Sequence, residues 1–403
     1  MTTKILLMAP VLTQSGYGEH SRQVVRYLFD LIDRGANIAL DIWPIGCGPT
    51  QNYVNTSNPL IKRIYENCKR REFEYDVSIQ IQMPTPKEWN PALAKKNIGI
   101  TAGIETDLCN PTWLDTINRM SHVIVPSEYS KATFTKSSER FMKEITTPIS
   151  VVHEFVNEEY FKKDVLIDPL AALPTNFNFL VFGQITGNDK DKDRKNLFTT
   201  IQAIYAAFRN EGSIGVVVKA NLGRETELDK HYVKEVLGQV KESVCDYTRG
   251  QGNQPQLYCL HGMMNQQELR AIYQSKKIKA LLTTTRGEAV GLPIVEAAAC
   301  GLPVIATDKG GHTEYLADKK WIGLPSTLTA IPQSKVDNEL FVQDAKWFEV
   351  NLEETLHSLV RFQKNNVKPR EWAKEQAAFI EEKFSFEAIR KEFDQVLKPL
   401  LLG

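Results

Sequence analysis

The chain has 403 residues, too long for one ordinary hydrophobic core and suited to two domains. Hydrophobic residues make up 42% and charged residues 24%, the balance of an ordinary globular protein and not of a disordered or fibrous one. Lys plus Arg (49) equals Asp plus Glu (49), so no global basic field draws the chain to nucleic acid or an anionic membrane, although a local patch stays open.

The first residues read as a strand and not as a signal peptide. No stretch approaches the ~18 uninterrupted apolar residues of a spanning helix. The cysteines (Cys47, Cys68, Cys109, Cys245, Cys259, Cys300) are scattered with no Cys-x-x-Cys pair. Neither a zinc site nor a disulfide framework is expected, and a reducing cytoplasm fits.

In chain order, 4–9 reads as a strand, and 19–34 as a helix with Val24, Val25, Leu28, Phe29 and Ile32 on one face. Strands follow at 37–43, 77–82 and 97–101, then a helix at 113–120 and a strand at 122–126. Ser127 caps a helix running to about 143. A strand at 149–153 ends this series. Residues 157–178 break the rhythm, and 161–178 reads as a linker. A second series has strands at 179–183, 214–219, 256–260, 278–283 and 303–307. Its helices are 196–209, 225–246, 266–274 and 292–300. The tail from about 339 reads as mostly helical. Strands alternating with helices imply parallel sheets, and two such series imply two doubly wound α/β domains facing a cleft. The expected division is 1–160, a linker at 161–178, and 179–384, with 385–403 belonging to the first domain.

The most informative segment is 286–307. A strand ends near Thr284, a glycine-containing loop follows, and Pro293 stands where the first turn of a helix begins. Unpaired N–H groups and the helix dipole make that turn an anion site. Glu296 is expected in the first turn and Glu288 in the loop before it. Two carboxylates flanking a helix tip suit an anionic ligand that carries vicinal hydroxyls. A capped helix whose glutamates only oppose the dipole shows the same pattern.

The segment also resembles the retaining glycosyltransferases of family four, which have the GT-B fold. Their signature has two glutamates separated by seven residues, and Glu288 and Glu296 match it, with Gly301, Pro303 and Val304 continuing the match. The resemblance implies that Glu296 holds the nucleotide ribose and Glu288 the donor sugar. The backbone amides of Val290, Gly291 and Leu292 would then touch sugar and diphosphate. Ala289 and Val290 depart from the usual glycine and aromatic. Phe182-Gly183-Gln184 resembles the family's Gly-Arg, with Gln184 in place of the arginine. Arg194-Lys195-Asn196 resembles its Arg-Lys-Gly. Lys195 is therefore the candidate diphosphate cation and catalytic group, with Lys219 as a second charge and no metal or other cofactor expected. Met263, after a strand, marks where the family's backbone holds the base; a structural turn explains it equally well.

In the first domain Ser15-Gly16-Tyr17-Gly18 follows the first strand. The resemblance places this loop, with Gly16, against the donor and Tyr17 against the acceptor. With Ser21 and Asp41 it also imitates a dinucleotide fingerprint, though the third glycine is replaced. Glu105 and Asp107, after a strand end, are candidate acceptor contacts, Glu105 also a candidate catalytic group; surface acids are the alternative. Asp189, Asp191 and Asp193 imitate the start of a calcium loop that Arg194 and Thr200 spoil. The basic clusters Lys62-Arg63, Lys69-Arg70-Arg71 and Lys95-Lys96 would suit an anionic surface contact, or only solvated helix faces.

The implied reaction is glycosyl transfer with retention from a nucleotide-diphosphate sugar. The acceptor is left open between a surface glycan, a lipid carrier and a modified base of viral DNA, since residues 183–219 look similar to phage-borne members of the family. Two other readings stay open: a sugar-nucleotide epimerase of the same fold, and a nucleotide-sugar binder without turnover.

Overall fold

The computed structural model is described over the whole chain except residues 1, 49, 51, 53, 70, 72, 73, 185–189, 223–225 and 249–251, and the side chains of residues 184, 190, 247 and 248. Asp189, Arg70 and the Gln184 side chain therefore lie outside the described residues.

The first series comprises β1 (Thr3–Ala9), α1 (Gly16–Asp33), β2 (Ile38–Pro44), α2 (Pro59–Glu66), β3 (Tyr75–Ile81), β4 (Ala94–Ile100), α3 (Pro111–Ile117), β5 (His122–Val125), α4 (Glu128–Phe141) and β6 (Ile149–Val151). The second comprises β7 (Phe177–Gln184), α5 (Leu197–Ala207), β8 (Ile214–Asn221), α6 (Glu227–Thr248), β9 (Gln256–Leu260), α7 (Gln266–Tyr273), β10 (Ile278–Thr283), α8 (Leu292–Ala299), β11 (Val304–Thr307) and β12 (Ile322–Leu324). A hairpin of β13 (Ser326–Ala330) and β14 (Lys346–Val350) follows, then α9 (Leu352–Lys364), α10 (Val367–Phe384) and α11 (Phe386–Leu402).

The chain divides into two compact units. Unit 1 is Met1–Phe155 with Asn338–Val342 and Phe386–Gly403; unit 2 is Val156–Asp337 with Gln343–Ser385. Each unit holds a six-stranded parallel sheet, ordered β2-β1-β3-β4-β5-β6 in unit 1 and β12-β11-β10-β7-β8-β9 in unit 2. Parallel strands are covered on both faces and need near-continuous apolar runs. Ile5–Leu7, Val216–Val218 and Ala280–Leu282 meet that need, each buried.

Local chemistry fixes the starts of the helices. Ser15 caps α1 by accepting from the Gly18 N–H, and Ser127 caps α4 by accepting from the Ser130 N–H. Gly18 is required by close packing: a Cβ there would sit 2.1 Å from the Thr13 carbonyl oxygen. In α1 the buried apolar face is Val24, Val25, Leu28 and Leu31, with Ile32 only half-buried.

Residues 156–178, which lack periodicity, belong to unit 2. Arg270 of α7, almost fully buried, holds them there. Its guanidinium makes two bonds to Asp164, at 2.7 and 3.0 Å, and its Nε lies 2.9 Å from Glu159. Helix α11 closes unit 1: Asp394 accepts from Tyr27 at 3.0 Å and from both Arg34 amino groups, and Phe393 stacks on Tyr27. Four features depart from the sequence reading. Helix α2, strand β12 and the β13–β14 hairpin are additional, and the helices of the tail start only at Leu352, after β14. No described helix is long and apolar enough to cross a membrane, and no described group of three or more His, Cys, Asp or Glu is placed to hold a metal ion.

Candidate active site

Strand order marks a candidate site in unit 2. From β7 the chain winds to β8 and β9 on one side, while β10, β11 and β12 lie on the other. In an open parallel sheet the crevice for ligands lies beyond the carboxyl ends of the two strands where the winding reverses. Those strands are β7 and β10. The segment after β7 carries Asp193, Arg194 and Lys195, and the segment after β10 carries Glu288.

These two segments meet. Lys195 Nζ lies 2.5 Å from Glu288 Oε1, and Arg194 Nη1 lies 3.6 Å from Glu288 Oε2. Thr285 donates its hydroxyl to Glu288 Oε1 at 2.9 Å. Glu288 is 6% exposed. Burial pushes its carboxyl up, but Lys195, Arg194 and the two hydrogen bonds outweigh burial and bring it down to about 2. It is an anion throughout the physiological range. Asp193, almost fully buried, explains how the Lys195 loop is shaped: its carboxylate accepts from the Lys195 N–H at 2.9 Å and the Leu197 N–H at 2.7 Å, capping α5.

From Glu288 the chain turns into α8 through Gly291, which adopts φ +73° and stands at the N-cap. A Cβ there would come within 3.0 Å of Ile294, 3.3 Å of His312 and 3.4 Å of Glu288, so glycine is dictated by both conformation and space. Val290 is buried and Leu292 half-buried. The Gly311 N–H donates to the Glu288 carbonyl at 2.7 Å and fixes the loop from behind. At the tip of α8, Pro293 has no N–H and the Ile294 and Val295 N–H groups donate to the Gly291 carbonyl at 2.8 and 3.2 Å, so the Leu292 N–H is the group placed to meet an anion. Glu296 is the fifth residue of α8 and sits in its second turn, not its first, because Leu292 precedes Pro293 as the opening residue. It is half-buried, and Tyr273 of α7 donates to its Oε2 at 2.8 Å. Tyr273 is buried and stacks on Phe182. Burial and the neighbouring Glu296 raise its phenol well above the ordinary value, so it stays protonated and donates to Glu296. The sequence reading gives Tyr273 no role, because an aromatic at the end of an amphipathic helix looks like core.

Lys219, nearly buried at the end of β8, directs its ammonium to the Asn221 side chain and to the Gly262 carbonyl, the latter at 2.7 Å. It supports the turn that carries Met263, which is 44% exposed.

The remaining candidates lie in unit 1. Gly16 is exposed, with open space where a Cβ would point. The Tyr17 hydroxyl lies 3.0 Å from Thr101 Oγ1, beyond the end of β4. Burial raises the Tyr17 phenol, and the nearby Glu105 charge adds to the rise. Gly16, Tyr17 and Glu105 thus gather at the carboxyl edge of the unit 1 sheet. Asp107 is bound to Lys136 at 2.6 Å. Asp41 is fully buried and accepts from Tyr75 at 2.8 Å and from the Arg71 N–H, which engages it away from any ribose. Among the basic clusters, Arg63 pairs with Asp33, Arg71 with Asp41, Lys95 with Asp76, and Lys96 bonds to the Leu400 carbonyl.

Residues 230–335 match the family model for glycosyl transferases group 1. No curated protein sequence matches the chain. Among solved structures, HepE of Anabaena in complex with UDP and glucose is 15% identical, with 98% of this chain and 100% of HepE aligned at a TM-score of 0.58. Sucrose-phosphate synthase of Thermosynechococcus elongatus is 13% identical, with 99% of each chain aligned at 0.62. A glycosyltransferase of Rickettsia africae is 13% identical, with 100% and 99% aligned at 0.61. The chain therefore has the GT-B fold of paired Rossmann-like domains, and its second unit contains the segment that matches the glycosyl transferases group 1 model.

Proposed function

We propose that the protein is a retaining glycosyltransferase that takes a glycosyl group from a nucleotide-diphosphate sugar held in unit 2. The observation that carries this reading is the ion pair of Lys195 and Glu288 at the switch point of the sheet, Glu288 lying within the segment 230–335 that matches the family model. HepE, with the same fold, is described in complex with UDP-glucose.

Each residue has a task that its surroundings suit. Lys195 and Arg194 supply positive charge to the departing diphosphate, with no metal required, and the Leu292 N–H and the dipole of α8 add to it. Glu288 accepts from the donor sugar's hydroxyls as a fixed anion. Glu296, oriented by Tyr273, accepts from the ribose diol. Preorganised groups of this kind are the largest part of the catalytic effect, because they need no rearrangement as charge develops. The acceptor hydroxyl attacks from the face the diphosphate leaves, and the departing phosphate takes its proton. Tyr17 and Glu105 serve the acceptor, and Gly16 lets the backbone of its loop approach the donor. The internal pairing of Arg63, Arg71, Lys95 and Lys96 favours a glycan acceptor over a polyanionic one.

The test is thermal stabilisation of the wild type and of Glu296→Ala by UDP, GDP, ADP, CMP and NAD, followed by the matching sugar nucleotides with EDTA present. A ligand at ~100 times its dissociation constant adds about 2.7 kcal/mol. One nucleoside diphosphate should stabilise the wild type and lose its effect on Glu296→Ala. Stabilisation by NAD alone, or by none on a folded protein, overturns the reading. The anomeric configuration of the product, read by NMR, tests retention.

A further inference from the structure

Arg286 lies between the end of β10 and Glu288, and both its backbone and its side chain join separate segments. Its N–H donates to the Arg194 carbonyl at 2.9 Å, and its own carbonyl accepts from the Phe348 N–H at 2.9 Å. One residue thus sutures the Lys195 segment on one side and β14 on the other. The guanidinium is nearly buried. Its Nη1 donates to the Asp193 carbonyl at 2.8 Å and reaches the Asp191 carbonyl at 3.4 Å. Its Nε lies 2.5 Å from Glu349 Oε1, and its plane sits 4.6 Å from the centre of the buried Trp347 ring. Asn196 extends the network, donating to the Thr284 carbonyl at 3.1 Å and to Glu349 Oε2 at 3.4 Å.

We propose that Arg286 is a positioning residue that holds the Asp193–Lys195 segment in register with Glu288 and thereby sets the grip of the site on its ligand. Asp193 is the link. Its carbonyl is fixed by Arg286, and its carboxylate receives the N–H of Lys195. Displacing that carbonyl displaces the lysine. Arginine suits the place because a planar fork donates in several directions while its face lies on a ring; lysine offers one compact head and cannot do both. Trp347 and Glu349 come from the β13–β14 hairpin, so that hairpin serves as the abutment of the site.

The consequence for donor binding rests on the glycosyltransferase reading; the register itself does not. The experiment therefore has one readout that needs no ligand. Glutamate labelled with 13C at the carboxyl is incorporated, and the Glu288 signal is identified by its loss in Glu288→Gln. It is followed from about pH 7 down to about pH 3 in the wild type and in Arg286→Lys. The wild-type signal should stay that of an ionised carboxylate, and the Arg286→Lys signal should titrate at least about one unit higher. The donor KM should rise about tenfold, the cost of losing a hydrogen bond to a charged group, with a smaller change in kcat. An unmoved Glu288 titration in a folded Arg286→Lys overturns the proposal. If that variant does not fold, Glu349→Gln, which removes the charged anchor of the Arg286 guanidinium and so loosens its hold on the Asp193 carbonyl, decides by the same titration: an upward move, against the direction expected for loss of a negative charge, supports the proposal and none overturns it. A titration that moves in a protein without transferase activity upholds the register and defeats only the glycosyltransferase reading.

Discussion

Lys195 and Glu288 are ninety-three positions apart in sequence, yet the ammonium of one lies 2.5 Å from the carboxylate of the other. Each neutralises its partner. A diphosphate sugar separates their duties, its phosphates drawing the lysine and its hydroxyls the glutamate. Glu288→Gln keeps the shape and removes the charge. It should lower turnover by about 100-fold or more, on the scale of losing one preorganised group. Nucleoside diphosphate, with no sugar to hold, should bind at least as tightly as before. Steady-state kinetics and calorimetry of the variant check both outcomes.

Tyr273→Phe removes only the hydroxyl that orients Glu296. The ring stays stacked on Phe182, so the fold should hold. A hydrogen bond to a charged group contributes about 1.5–3 kcal/mol, and the donor KM should rise about tenfold or more. Because the interaction concerns the nucleotide and not the reacting carbon, kcat should change little. A fall in kcat at unchanged KM speaks against ribose recognition by Glu296.

Gly291→Ala forces a side chain into a left-handed conformation, at a cost of roughly 1–2 kcal/mol. Its new methyl also meets Glu288 and His312. Stability should drop by that order in urea unfolding, and activity should fall further than stability does, because the Glu288 loop must move.

His20 gives a pH dependence of known sign. It is buried beside Glu154, and burial lowers it from 6.5 to about 4. Below about pH 6.5 the unfolded chain takes up a proton at this position that the folded chain refuses until about pH 4. Stability should therefore fall as the pH drops through that window, by at most about 1.4 kcal/mol per unit from this group. Urea midpoints at several pH values for the wild type and His20→Gln check it: the variant should show a shallower decline.

The alternation of strand and helix, the cap at Ser127 and the place of Glu288 in the loop before α8 are legible in sequence, since each rests on local patterning; the ion pair of Glu288 with Lys195 is not, because its partners are distant in the chain. What escapes is what depends on distant neighbours. Tyr273 and Arg286 gain their roles only when α7 and β14 are folded beside the motif. The β13–β14 hairpin escapes because its strands are short and separated by an unpatterned stretch. Glu296, expected in the first turn of α8, is its fifth residue and so falls one position beyond that turn. Asp193, read as an imitation metal ligand, proves to be a cap, a role that turns on where its neighbours' N–H groups point.

Helix α11 has a consequence for the order of events at the ribosome. Tyr27 and Arg34 meet Asp394 only after more than three hundred intervening residues have been made. At ~5–20 residues per second that delay is on the order of tens of seconds. Through that interval the first-made unit waits with one flank uncovered, exposing Tyr27 and the groove that receives Phe393, while unit 2 has already been synthesised. The first part of the chain to be made is the last to be finished.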